Sequence, residues 1–224
     1  MYQSRFRTAL AAVCTIGLAS LAHPAAGQPQ TGIIYRLFGE VHIASLAQLE
    51  EVAGALKLND QQQADLKQLN DELNAGRMEA FQDAAGDFDA MREATSKLYT
   101  EFHAKLTAKL DDAQQKRAEE IYVQVNGPTA LNSTSIADKL QLSEEQRKKL
   151  ANASMDHWYD TFDSFQDMQD MSDKERAKSV EGLIESRDKS LLAVLNDEQK
   201  KSFEGLAGEK LEVDLDKLPR LGPR

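Results

Sequence analysis

The chain has 224 residues, with 37 acidic against 27 basic side chains and a formal net charge of −10. That balance excludes the basic footprint of a nucleic-acid-binding domain and favours solubility or a basic partner. The dominance of Ala, Leu, Glu, Gln, Lys and Asp is that of an all-helical protein, and the single cysteine, Cys14, leaves no pair for an internal disulfide.

The first element is a targeting segment. Arg5 and Arg7 precede an apolar run from Ala9 to Ala22, then Pro24 and the small residues Ala25, Ala26 and Gly27. Charge, apolar centre and small cleavage region in that order form a secretory signal over 1–27, so a periplasmic or secreted chain is expected to begin near Gln28. The alternative is an uncleaved anchor. Cys14 follows Val13 rather than a small residue, which argues against lipid attachment. Removing Arg5 and Arg7 takes the net charge from −10 to −12. No later stretch approaches the roughly 20 apolar residues of a membrane-spanning helix.

Beyond a lead segment, 28–45, the pattern repeats. Leu58-Asn59-Asp60-Gln61-Gln62, Leu110-Asp111-Asp112-Ala113-Gln114, Leu142-Ser143-Glu144-Glu145-Gln146 and Leu195-Asn196-Asp197-Glu198-Gln199 share a Leu, a small polar residue and a Gln. The first and second lie 52 residues apart, the third and fourth 53, and the first leads the third by 84. Asn, Asp and Ser accept a hydrogen bond from a free amide of a first helical turn. Leu can pack back as a staple while Gln closes a capping box. Each copy therefore starts a helix, and the paired spacing predicts an internal duplication. The units are 46–131 and 132–210, each a helical hairpin of long amphipathic helices with short capping helices, followed by an extended tail over 211–224.

Within the first unit, Ser45-Leu46-Ala47-Gln48 is expected to cap a short helix. From Leu66, the residues Leu69, Leu73, Ala80, Ala84, Phe88, Met91, Leu98, Phe102 and Leu106 keep one helical phase. This stripe predicts one long helix or two nearly collinear ones, bending at Gly76 or Gly86, since Gly costs about 1 kcal/mol relative to Ala in a helix interior. Gly127-Pro128 ends the unit. In the second unit Ser133 to Ser135 cap the short helix, and Val52 and Leu56 match Ile136 and Leu140 at the same offset of 84. Ala151, Met155, Trp158, Phe162, Phe165 and Met168 form the equivalent stripe. Ser172-Asp173-Lys174-Glu175 reads as a capping box, with Val180, Leu183, Leu191 and Val194 on the buried side of the helix it restarts. Leu211, Val213 and Leu215 alternate with acids, and a loose tail is expected from Leu218.

The repeated Leu-x-x-x-Gln starts behind a signal peptide resemble the LTxxQ motif of the Spy and CpxP family of periplasmic stress proteins, over roughly Leu46 to Gly208. The doubled arrangement is especially similar to uncharacterised tandem versions in planctomycete-like bacteria. The resemblance implies an ATP-independent chaperone or envelope-stress modulator, built as thin curved hairpins that dimerise into a cradle. Three departures stand out: Asn, Asp or Ser replaces Thr in every motif, no motif carries the Pro common in the family's second copy, and the chain is acidic where the chaperone member's cradle is basic.

Two clusters suggest other chemistry. Asp156, Asp160, Asp163, Asp167 and Asp170 repeat at spacings of four and three, on one helix face. They read as a solvated face opposite the aromatic stripe, or as an attractor of cations or a basic partner. After the signal, the histidines are His42, His103 and His157. No His pair has metal-ligand spacing, so His157 with Asp156, Asp160 and Asp163 is the weak metal candidate, and no cofactor is expected. Catalytic motifs are absent: there is no phosphate loop, GxSxG or HExxH. The expected role is non-enzymatic: binding of a protein partner or unfolded client, with a homodimer open, through Phe81, Phe88, Met91, Trp158, Phe162 and Phe165 unless these form the core. A metal-responsive sensor and a structural protein of the envelope are the alternatives.

Overall fold

The computed structural model describes Leu37 and residues 41–84 and 88–218. The signal segment with Cys14, most of the lead segment, Gly86, the residues beyond Leu218 and the side chains of Phe81, Phe88, Met91 and Phe165 lie outside the described residues. Among those described the chain is all-α, with nine α-helices and no strand. They are α1 Ile43–Leu46, α2 Glu50–Ala55, α3 Asp60–Ala84, α4 Phe88–Thr107, α5 Asp112–Asn126, α6 Thr134–Lys139, α7 Glu144–Asp167, α8 Asp173–Leu192 and α9 Asp197–Gly205. Short 3-10 turns cover Gly127–Asn132, Met168–Asp170 and Leu215–Lys217.

The continuous apolar stripe of α3 and α4 is not one long helix. Helix α4 packs back beside α3, with Lys105 on Glu72 at 3.0 Å and Lys109 on Asp65 at 2.8 Å. Two arms that face each other keep the same apolar phase as a helix that continues, and so the stripe could not separate the two. At Gly76 the arms come close: a Cβ there would stand 2.8 Å from Leu98 Cδ1. Helices α7 and α8 pair likewise, with Leu150 and Leu191 in one core, and Ser172 starts α8 with the expected capping box.

Two apolar cores result. The first gathers Leu46, Val52, Leu56, Leu66, Leu73, Phe102 and Leu106; the second Leu131, Ile136, Leu140, Leu150, Leu191 and Phe203. Each fully buried Leu contributes about 2 kcal/mol over its exposed state. Helix α5 belongs to both: Ala118 and Ile121 enter the first core, Tyr122 and Val123 the second. It ends at Gly127, whose φ of 54° with ψ of −139° is not the left-handed cap expected of the Gly-Pro pair but another backbone that glycine adopts freely.

Two expectations are corrected. Ser45 is not a cap; it lies inside α1, where its hydroxyl donates to Asn70 Oδ1 at 2.6 Å, and His42 is the N-cap. Ser133 holds the N-cap position of α6 as expected, without a side-chain bond. Leu218, where a loose tail is expected to begin, is instead 3% exposed in the first core, with Leu211, Val213 and Leu215 packed alongside. This arm is fastened to α5: Gln124 Nε2 donates to the carbonyls of Ala207 and Glu209, and Leu211 N donates to Gln124 Oε1 at 2.8 Å. At the other end Val41 N donates to Asn126 Oδ1 at 2.6 Å, and Asn126 Nδ2 donates to Val41 O at 3.0 Å. Two amide side chains of one helix thus serve as backbone partners for the two ends.

Candidate functional site

All four Leu-x-x-x-Gln motifs start helices, and their glutamines meet in pairs. Gln62 Nε2 donates to Gln114 Oε1 at 2.8 Å and Gln114 Nε2 donates back to Gln62 Oε1 at 3.1 Å. Gln146 and Gln199 repeat this at 2.7 and 3.2 Å. Each Oε1 also accepts from the backbone N–H of its own cap, Asn59, Asp111, Ser143 or Asn196, at 3.0 to 3.1 Å. Each Nε2 reaches a carbonyl at the end of a neighbouring helix: Lys109 O from Gln62, Leu56 O from Gln114, Val194 O from Gln146 and Leu140 O from Gln199. Two helix starts and two helix ends, whose amides and carbonyls lack intrahelical partners, are thereby tied together. Leu58, Leu110, Leu142 and Leu195 are buried beneath. Lys57 and Gln141, at φ of 52° and 51°, turn the chain from the short helix into its motif. Leu58 N donates to Ala53 O and Leu142 N to Ala137 O in the Schellman manner. These residues are the joints of the scaffold.

What the joints position differs between the pairs. Between Leu73 and Phe102, α3 and α4 have no buried residue among those described; Leu98 and Tyr99 still pack against the first core, and beyond them this two-helix prong carries the exposed Met78. The sequence places Phe81, Phe88 and Met91 in this stretch. On the second pair, Thr161, Phe162, Met168 and Val180 are buried. Trp158, half-buried, stacks on Phe162 with centroids 5.6 Å apart and planes at 12°, so this aromatic pair is packing rather than an open face.

The metal candidates are not brought together. Asp156, Asp160, Asp163, Asp167 and Asp170 are exposed, whereas His157 is buried. Among the described residues no group of three or more His, Cys, Asp or Glu side chains could hold a metal ion. The His157 ring lies 3.1 Å, at Nε2, from the carbonyl oxygen of Leu37 and 3.2 Å from Thr161 Oγ1. The carbonyl contact makes Nε2 the protonated nitrogen. Burial holds this ring's pKa below that of a free imidazole, against the opposing pull of the Leu37 carbonyl. His42 is lowered further, to about 3, by burial first and then by His103 and Arg77. It packs edge-on against Phe102 with centroids 4.2 Å apart. His103 is exposed.

Sequence reasoning missed Arg187, 8% exposed, paired with Asp188 at 2.8 Å. It lines a cavity of about 190 Å³ with Val41, Asn126, Thr129 and Ile184. The repeat could have revealed it: Arg187 stands 85 positions after the core residue Phe102, and His157 stands 84 after Leu73. The signal was a polar residue in one copy where the other is apolar. No protein-family model, curated protein or solved structure matches this chain significantly.

Proposed function

We propose that this is an exported, non-enzymatic helical protein that binds an unfolded or envelope protein partner through the α3–α4 prong, in the manner of the Spy and CpxP proteins that its motifs resemble. The observation that carries the reading is the prong itself. Between Leu73 and Phe102 none of the described residues of these two helices is buried, and the sequence of the same stretch holds Phe81, Phe88 and Met91, which makes it the stretch we assign to an apolar client. The acidic surface, with four exposed aspartates on α7 and a fifth, Asp170, in the 3-10 turn after it, favours clients carrying basic residues.

The test is suppression of aggregation without ATP. The protein is added to a chemically unfolding client, beside the variant Phe81→Asp with Phe88→Asp, whose helicity is checked by circular dichroism. Suppression near equal stoichiometry that disappears in a helical variant supports the reading. No suppression at several-fold excess, or equal suppression by the variant, refutes it.

A further inference from the structure

The chain has seven asparagines, and only Asn126 is followed by glycine; the others precede Asp60, Asp71, Ala75, Ser133, Ala153 and Asp197. The backbone nitrogen after an asparagine can attack the side-chain carbonyl, and it is least shielded where the next residue has no Cβ. Asn126 closes α5 and is 6% exposed. Its amide is the clasp on Val41: Oδ1 accepts from Val41 N at 2.6 Å, while Nδ2 donates to Val41 O at 3.0 Å and to Tyr122 O at 2.9 Å. The asparagine with the least shielded neighbour thus carries the bonds that hold Val41 to the helix.

In this closed form the reaction is blocked in three ways. A five-membered ring needs the Gly127 nitrogen beside Asn126 Cγ, within about 3 to 3.5 Å and aligned with its carbonyl. The helical ψ of −18° at Asn126 instead turns that nitrogen away from the side chain. The Gly127 N–H is committed to Val123 O. The Asn126 amide is itself held by Val41 and Tyr122. All three constraints lie at the end of α5, so one local opening there removes them together.

We propose that Asn126 is a deamidation site guarded by its own clasp. Once the end of α5 opens, the Gly127 nitrogen gives up its proton and bonds to Asn126 Cγ. The Cγ–Nδ2 bond breaks, and the side-chain nitrogen leaves as ammonia, which carries the lost proton. Water then opens the cyclic imide at either carbonyl, leaving aspartate or, with the backbone rerouted through the side chain, isoaspartate. Neither product can remake the clasp. A carboxylate accepts hydrogen bonds but donates none, so the carbonyls of Val41 and Tyr122 lose their donor and face a negative charge in a buried place. The modification is one-way: openings of the α5 end accumulate as a covalent product that leaves the Val41 stretch without its hold on α5.

Peptide mapping by mass spectrometry tests this on the full chain, incubated folded and in urea at the same slightly alkaline pH. The four hydrogen bonds that close the site should make deamidation of Asn126 at least about 100-fold slower in the folded chain. Val41→Ala loosens a residue that is 3% exposed without touching the amide, and should speed the folded reaction at least about five-fold while α7 and α8 keep their protection from hydrogen exchange. Aspartate and isoaspartate should both appear at position 126. Aged chain, separated by its added negative charge, should exchange the amides of Val41 to Ala47 at least about ten-fold faster than fresh chain, and Asn126→Asp should do the same. Equal rates in the folded and unfolded chain overturn the proposal, as do faster deamidation at another asparagine, aspartate without isoaspartate, or unchanged protection of Val41 to Ala47 in the aged chain. Should Val41→Ala also lose the protection of α7 and α8, the comparison of aged with fresh wild type decides. None of these readouts involves a client, so this proposal and the binding role can fail separately.

Discussion

Removing one glutamine from a pair measures what the joint contributes. Gln114 is 9% exposed; its Oε1 accepts from Asp111 N and Gln62 Nε2, and its Nε2 donates to Gln62 Oε1 and Leu56 O. A hydrogen bond nets about 1 kcal/mol, and a buried group left without a partner costs about 1 to 3 kcal/mol. Gln114→Ala strands the Leu56 carbonyl and the Asp111 N–H and removes both bonds to Gln62, whose amide keeps Lys109 O and Asn59 N, so a loss of roughly 3 to 4 kcal/mol is expected in urea unfolding followed by circular dichroism. Gln62→Ala, at a half-buried position, should lose roughly 2 kcal/mol. Because the two share their reciprocal bonds, the double variant should lose less than the sum by about 1 to 2 kcal/mol. Additive losses, or a loss at Gln114 no greater than the few tenths typical of a surface position, would refute the coupled joint.

Stability should also fall with acid through His42. Its pKa is lowered on folding, so its contribution is complete above about 6.5 and is lost as pH falls toward about 3; near pH 4.5 roughly 3 kcal/mol should be gone, and chemical denaturation of wild type and His42→Asn across that range reads it. Leu218→Ala, at a position 3% exposed, should cost about 2 to 3 kcal/mol and free the arm to proteolysis; a melting temperature equal to wild type would show that the arm does not support the first core.

Helix starts were legible because capping chemistry is local: Asn59, Asp111, Ser143 and Asn196 announce themselves within four residues. The meeting of Gln62 with Gln114 was not, since the same capping box serves an isolated helix. The stripe from Leu66 to Leu106 marked the two buried stretches, Leu66, Leu69 and Leu73 in α3 and Phe102 and Leu106 in α4, and carried the direction of the chain wrongly. His157 was read beside its acidic neighbours, yet its hydrogen-bond partner is a carbonyl 120 residues away. The alternation of Leu211, Val213 and Leu215 was visible, while the Gln124 amide that receives the arm had no pattern of its own. What one residue does for a distant backbone leaves no period in a sequence.

Gln124 and Asn126 lie two positions apart on α5, and each secures one end of the described chain. Both stretches also belong to the first core, through Val41 and Leu218, so a tension applied between them loads less than one helical turn of α5 and opens that core as they come away.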